Sequence, residues 1–170
     1  MVTAASLSLV LAAALVLLPA SVFFAECALA AVGPRRPRGA QGGPRPRVGV
    51  LVPAHDEQEV IEATVRHLAA QLAPGDRLLV VADNCTDGTA ALARAAGAEV
   101  SERSDPERRG KGYALDHGVR QLAASPPDVV VVVDADCTLH PGSLESLGRA
   151  AAEGRPAQAR NLVLLPEGAS

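Results

Sequence analysis

Val129-Val-Val-Val-Val-Asp-Ala-Asp-Cys-Thr138 reads as a strand that ends in two carboxylates. Five consecutive valines carry no helical periodicity and no polar face, which predicts a strand covered on both sides, as in parallel sheets. Side chains two apart at a strand end point the same way, so Asp134 and Asp136 are expected to face one site. Hard oxygen donors without His beside them suit Mg2+ or Mn2+, with a substrate's phosphates completing the shell. A solvated turn with capping Asp has the same local pattern, and Asp-x-Asp is frequent by chance. The neighbouring segments favour the metal.

Three further apolar runs, residues 48–52, 78–82 and 98–101, also read as buried parallel strands. Helices are predicted between them. In 57–72, Ile61, Val65, Leu68 and Leu72 fall on one stripe. Residues 86–96 stop at Gly97, and 111–123 place Leu115, Val119 and Leu122 on one face before Pro126-Pro127. Another helix is expected from Pro141-Gly142, and 158–165 read as a further strand. Such alternation predicts an open parallel α/β sheet, in which ligands bind beyond the carboxyl ends of the strands. The unusual polar groups sit there: Pro53-Ala-His-Asp-Glu57, Asp83-Asn-Cys-Thr-Asp-Gly88 and Asp134-Ala-Asp136. Three acidic clusters on one edge would repel each other without a cation. Arg108-Arg-Gly-Lys-Gly112, opening a helix, supplies the positive charge and free N–H groups that phosphates need.

The first 32 residues differ from the rest. From Val2 to Val32 the only charged side chain is Glu26. Residues 4–25 are long enough, at about 1.5 Å per residue, to cross a hydrocarbon core of about 30 Å. Pro19 would kink that helix without forbidding it. A cleaved signal peptide ending at Ala28-Leu-Ala30 is the alternative, but no basic segment precedes the apolar run. Residues 33–47 combine Pro and Gly with Arg35, Arg36, Arg38, Arg45 and Arg47, the composition of a linker. Five Arg and no acid predict that this flank is cytoplasmic and the N-terminus outside, in a single-pass inner-membrane protein. The expected organisation is an anchor over 1–32, a basic linker over 33–47 and a catalytic-type domain over 48–170.

The whole chain of 170 residues carries a net charge of −3 and only 2% aromatic residues, which argues against nucleic acid as a partner. Cys27, Cys85 and Cys137 are odd in number and form no Cys-x-x-Cys pair, so zinc-knuckle and dithiol chemistry are not expected. Strand one is followed by Pro-Ala-His-Asp-Glu rather than a glycine-rich turn, and no P-loop signature occurs.

Four segments together resemble the family 2 glycosyltransferases: Val50-Leu-Val-Pro-Ala-His-Asp-Glu57, Val81-Ala-Asp-Asn-Cys-Thr-Asp-Gly-Thr89, Arg109-Gly-Lys-Gly-Tyr-Ala-Leu115 and Val133-Asp-Ala-Asp-Cys137. The resemblance implies a GT-A fold, a Rossmann-like open parallel sheet that binds a nucleotide-diphosphate sugar, UDP- or GDP-linked. By position it implies that Pro53, Ala54 and Glu57 line the nucleoside pocket and that Asp83 hydrogen-bonds the base. Lys111 would lie near base or diphosphate, Asp134 would face ribose or metal, and Asp136 would ligate the metal. The anchor ahead of the domain is similar to the exopolysaccharide and cellulose-synthase-like members, whose acceptors are saccharides or lipid-linked. The family's general base lies in an acceptor half, and no residue here matches it, so the expectation is a truncated, donor-binding part of a longer enzyme. Two other readings fit parts of the pattern: a membrane-tethered, non-catalytic nucleotide-binding module or remnant, and a HAD-type phosphatase on Asp134-Ala-Asp-Cys-Thr138. The latter needs a downstream Lys, and none follows Asp134.

Overall fold

Strand β1 (Val48–Ala54) begins a four-stranded sheet completed by β2 (Arg77–Asp83), β3 (Glu99–Arg103) and β4 (Val129–Val132). All pairings are parallel and the order is β3-β2-β1-β4. The computed structural model describes residues 4–32, 43–154, 156–160 and 162. Helix α1 (Ala4–Val32) forms one unit, and the sheet with helices α2 (Ile61–Ala69), α3 (Thr89–Ala95), α4 (Lys111–Leu122) and α5 (Ser143–Ala152) lies in the other.

Strand alternation divides the apolar side chains between two cores. Val48, Val50 and Val52 of β1, with Leu78 and Val80 of β2, face α2, α3 and α5 through Ile61, Val65, Leu68, Ala93 and Leu144. Leu51, Leu79 and Val81 point the other way, onto Ala114 and Leu122 of α4. Each fully buried Leu or Ile contributes about 1.5–3 kcal/mol of transfer free energy. This is the expected open parallel α/β sheet, with helices on both faces.

The sheet's order reverses at β1, because β2 and β3 extend to one side of it and β4 pairs on the other. That reversal opens a crevice between the carboxyl ends of β1 and β4, where ligands bind in such sheets.

Four expectations change. The run at 98–101, expected as a buried strand, forms β3, none of whose residues is buried, because β3 pairs only with β2 among the described strands. The strand at 129–133 is not covered on both faces: Val130 and Val132 are 40% and 46% exposed, since β4 is the outer strand among the described residues and α4 lies over β1 and β2 instead. Helix α4 buries Ala114, Gly118 and Leu122 and packs Leu115 partly against the same core, so the expected stripe holds at Leu115 and Leu122, while Val119 is half exposed and Ala114 and Gly118 take the closest face. The reason is proximity, because a Cβ on Gly118 would stand 2.3 Å from Leu51 Cδ1, so only a small residue fits there. Of the strand expected at 158–165, residues 158–160 and 162 are exposed and carry no strand, and the rest lies outside the described residues.

Helix α1 runs 29 residues, about 43 Å at 1.5 Å per residue, with Pro19 inside it. Its stretch Leu11–Leu29 has a mean hydropathy of 2.0 and is exposed throughout. Arg35, Arg36 and Arg38 of the basic segment lie outside the described residues. Arg45 and Arg47, counted with that segment in the sequence, are bound into the sheet unit: Arg45 pairs with Asp76 at 2.7 Å and Arg47 with Asp128 at 3.0 Å.

Candidate functional site

An open cavity of about 610 Å³ lies at the carboxyl edge of the sheet, at the reversal of strand order. Pro53 and Ala54, the last residues of β1, form one wall together with Glu57. Asp83 closes β2 at the floor, and Arg109, Gly110 and Lys111 bring the start of α4 to the rim. Asp134, Ala135 and Asp136 line the side beyond β4. Every residue singled out from the sequence as a donor contact therefore borders this one cavity: Pro53, Ala54, Glu57, Asp83, Lys111, Asp134 and Asp136.

The two carboxylates meet by a different device from strand alternation. β4 ends at Val132, and Asp134–Cys137 form a turn closed by Cys137 N–H donating to the Asp134 carbonyl at 3.0 Å. Ala135 is buried beneath the turn, and its carbonyl accepts from Thr64 Oγ1 at 2.6 Å. Both carboxylates are thereby turned outward and exposed. Oxygens of Asp134 and Asp136 lie within 4.8 Å of each other and of Cys137 Sγ. Burial pushes the Cys137 thiol up from its ordinary range, and the charges of Asp136 and Asp134 push it further. The hard donors of this group are the two carboxylates. Two hard donors with space beside them fit Mg2+ or Mn2+ held jointly with a phosphate ligand.

The acids at this edge repel less than their number suggests. Asp56 and Asp87 do not line the cavity: Asp56 Oδ1 accepts from Thr86 N–H at 2.7 Å, and Asp87 accepts from Thr89 N–H and Gln58 N–H at 2.9 and 3.1 Å. They tie the β1 and β2 loops together. Of the acids that do line it, Asp83 is paired with Arg103 and Asp134 with Lys111. Glu57 and Asp136 have no ion pair among the described residues. So the protein's own cations answer two of the four charges, and a metal is needed for fewer than the sequence implied.

The start of α4 is shaped for an anion. Gly110 has φ +112°, a conformation open to glycine, and it places Lys111 at the first helical position. Sequence reading did not single out Arg103 or Asn84. Asn84 sits in the left-handed region at φ +53°, and its Oδ1 accepts from Asp105 N–H at 2.7 Å. His55 Nδ1 bonds the Asp83 carbonyl at 2.7 Å, which makes Nδ1 the protonated nitrogen. No local pattern marks Arg103, because its partner is reached only through the pairing of β2 with β3.

The family model described as glycosyl transferase family 2 matches residues 49–160, which is most of the sheet unit. The chain belongs to that family. Among curated relatives, the probable glycosyltransferase YdaM of Bacillus subtilis is 39% identical over 105 residues, 55% of this chain and 23% of the relative. The glucosyl-3-phosphoglycerate synthase of Mycolicibacterium paratuberculosis is 41% identical over 96 residues, 52% of this chain and 28% of the relative. The chain thus spans about a quarter of the length of these relatives. Among solved structures, glucosyl-3-phosphoglycerate synthase from M. tuberculosis superposes with a TM-score of 0.51 at 34% identity, over 60% of this chain and 39% of that one. The mannosyltransferase PcManGT from Pyrobaculum calidifontis, in complex with GDP-Man and Mn2+, gives 0.57 at 28% identity, over 69% and 36%. The sheet of this family 2 glycosyltransferase is accordingly GT-A-like.

Proposed function

We propose that the cavity binds a nucleotide-diphosphate sugar, UDP- or GDP-linked, together with Mg2+ or Mn2+, as the donor site for inverting sugar transfer. The observation that carries this reading is the convergence of all seven donor-type residues on one cavity at the strand-order reversal. Pro53, Ala54 and Glu57 line the nucleoside pocket, and Asp83 accepts a hydrogen bond from the base. Lys111 and the N–H groups opening α4 hold the diphosphate. Asp134 faces ribose or metal, and Asp136 is a metal ligand. Asp136, with Asp134, would hold the divalent ion, which when bound would supply Lewis-acid stabilisation of the diphosphate leaving group. Lys111, already paired with Asp134, stands at the same end to take up phosphate charge. A relative bearing GDP-Man and Mn2+ supports both ligands. No residue of this chain is assigned as the general base, so the reading covers donor binding.

The family and the GT-A-like sheet leave the phosphatase reading of Asp134-Ala-Asp-Cys-Thr138 without support. Over Leu11–Leu29 helix α1 is strongly apolar and exposed, with Glu26 its one charge, which suits a membrane anchor. The domain then faces the cytoplasm and serves synthesis of a polysaccharide or glycolipid at the inner membrane, on a saccharide or lipid-linked acceptor.

Isothermal titration of the full chain in detergent with UDP and with GDP, with and without Mn2+, tests the donor site. Binding of at least one nucleotide that depends on Mn2+ is expected. Asp136→Ala should weaken it at least about tenfold and remove the metal dependence, since one ligand is lost from a site with few. A folded sample that binds neither nucleotide would rule the reading out.

A further inference from the structure

Asp83 is 4% exposed, yet it is a carboxylate at the floor of the cavity. Its partner is Arg103, whose Nη1 donates to Oδ1. The two are the last residues of β2 and β3 and stand opposite each other in the ladder. Arg103 is itself held from three directions. Besides Asp83, its Nη2 reaches Asp105 Oδ2 at 3.2 Å, and its guanidinium lies 5.5 Å from the centroid of the Tyr113 ring on α4. The side chain is only 11% exposed and does not border the cavity. Asp83 Oδ2, by contrast, has no hydrogen-bond partner among the described residues.

A buried carboxylate needs compensation, and a fixed guanidinium fork supplies both charge and direction. With Oδ1 occupied, the remaining acceptor is Oδ2, on a residue that lines the cavity. Asp105 extends the arrangement: its Oδ1 accepts from the N–H groups of Glu107 and Arg108 at 3.1 and 3.0 Å, beside Arg109 and Lys111. We infer that Arg103 is a positioning residue for nucleotide recognition, occupying one oxygen of Asp83 so that the other is presented to an N–H of the base. This rests on the donor-site reading above. It makes Asp83 an acceptor with one oxygen to offer, suited to a base with an N–H on its edge, such as uracil or guanine. The guanidinium never touches the ligand, so its effect passes through Asp83.

Four full-length proteins in detergent test this: wild type, Asp83→Asn, Arg103→Gln and the double variant. Each is titrated calorimetrically, in the presence of Mn2+, with whichever of UDP and GDP the wild type binds and with inorganic pyrophosphate, which has no base. Arg103→Gln is expected to weaken the nucleotide about tenfold, to leave pyrophosphate within about twofold, and to add at most about twofold on top of Asp83→Asn. Arg103→Lys, which keeps the charge but loses the fork, should lie between wild type and Arg103→Gln. It carries the same test if Arg103→Gln melts at the assay temperature.

Unchanged nucleotide affinity in Arg103→Gln, beside a damaged Asp83→Asn, overturns the role of Arg103 alone. Equal losses for nucleotide and pyrophosphate overturn it as well, as do penalties that multiply in the double variant. A wild type that binds no nucleotide, or an Asp83→Asn that binds like wild type, overturns the base contact itself and this inference with it.

Discussion

Asp76 shows how much one residue holds in place. Its side chain is fully buried and accepts four hydrogen bonds, two from the Arg45 guanidinium at 2.8 and 2.7 Å and one each from Val48 N–H and Ala73 N–H at 2.8 and 2.9 Å. Burial alone would push this carboxyl up, but Arg45 and the two backbone N–H groups outweigh it and bring it below the ordinary carboxylate range. A carboxyl lowered in the folded state contributes stability in full above its unfolded value, and loses it as pH falls through its folded value. Asp76→Ala should therefore cost about 3 kcal/mol at pH 7, measured by urea unfolding followed by circular dichroism. The gap to wild type should close as pH drops below the ordinary carboxylate range. A gap that stayed constant with pH would place the loss in packing, not charge. Glu99 and Asp128 are lowered in the same direction by Arg77 and Arg47, but they are exposed and salt will screen them. None of these pairings is visible in a local sequence window, since Asp76 and Arg45 lie 31 residues apart.

At the scale of elements, α4 does most to place the site. It starts at the cavity rim with Lys111 and then crosses β1 and β2 closely enough that Gly118 meets Leu51 and Val81. Alanine there is a better helix former by about 1 kcal/mol, but its Cβ would fall 2.3 Å from a fully buried Leu51. Overpacking of this kind costs about 1–3 kcal/mol, so Gly118→Ala should lower the melting temperature by several degrees. Because α4 would be displaced, nucleotide affinity should fall too. An unchanged melting temperature would show that Leu51 repacks freely. Periodicity points to Leu115, Val119 and Leu122 as the buried face of α4; Leu122 and in part Leu115 are buried, while the sheet selects Ala114 and Gly118 in place of Val119 because small residues permit the approach. For α2 the pattern was sufficient: Ile61, Val65 and Leu68 are buried as their spacing predicts, although the helix begins at Ile61 after a turn closed onto the Glu57 carbonyl at 2.9 Å.

The whole molecule comprises a sheet unit that carries the cavity and an apolar helix ahead of it. Over Leu11–Leu29 the helix has a mean hydropathy of 2.0 and every residue is exposed. The full chain is expected in the membrane fraction after alkaline carbonate washing, with the sheet unit digested by protease only when the cytoplasmic face is accessible. Recovery in the supernatant, or loss of the helix by cleavage, would remove the anchor from the proposal. Through its family resemblance the sequence named seven of the residues that border the cavity, and by itself it determined that the chain alternates strands and helices and that its strands end in polar clusters. Those features follow from local burial and from side-chain chemistry next to a strand end, which adjacent residues encode. The tertiary structure alone decided the strand order β3-β2-β1-β4, and with it the crevice beside β1. It diverted Asp56 and Asp87 into loop contacts and set Arg103 against Asp83. At Asp134-Ala-Asp136 it replaced strand alternation by a turn that sends both carboxylates outward. Apart from the Asp87–Thr89 contact and the hydrogen bond that closes the Asp134 turn, these features depend on partners at least 20 residues apart in the chain. Such pairings are set by how the sheet closes and packs, not by any pattern within one segment.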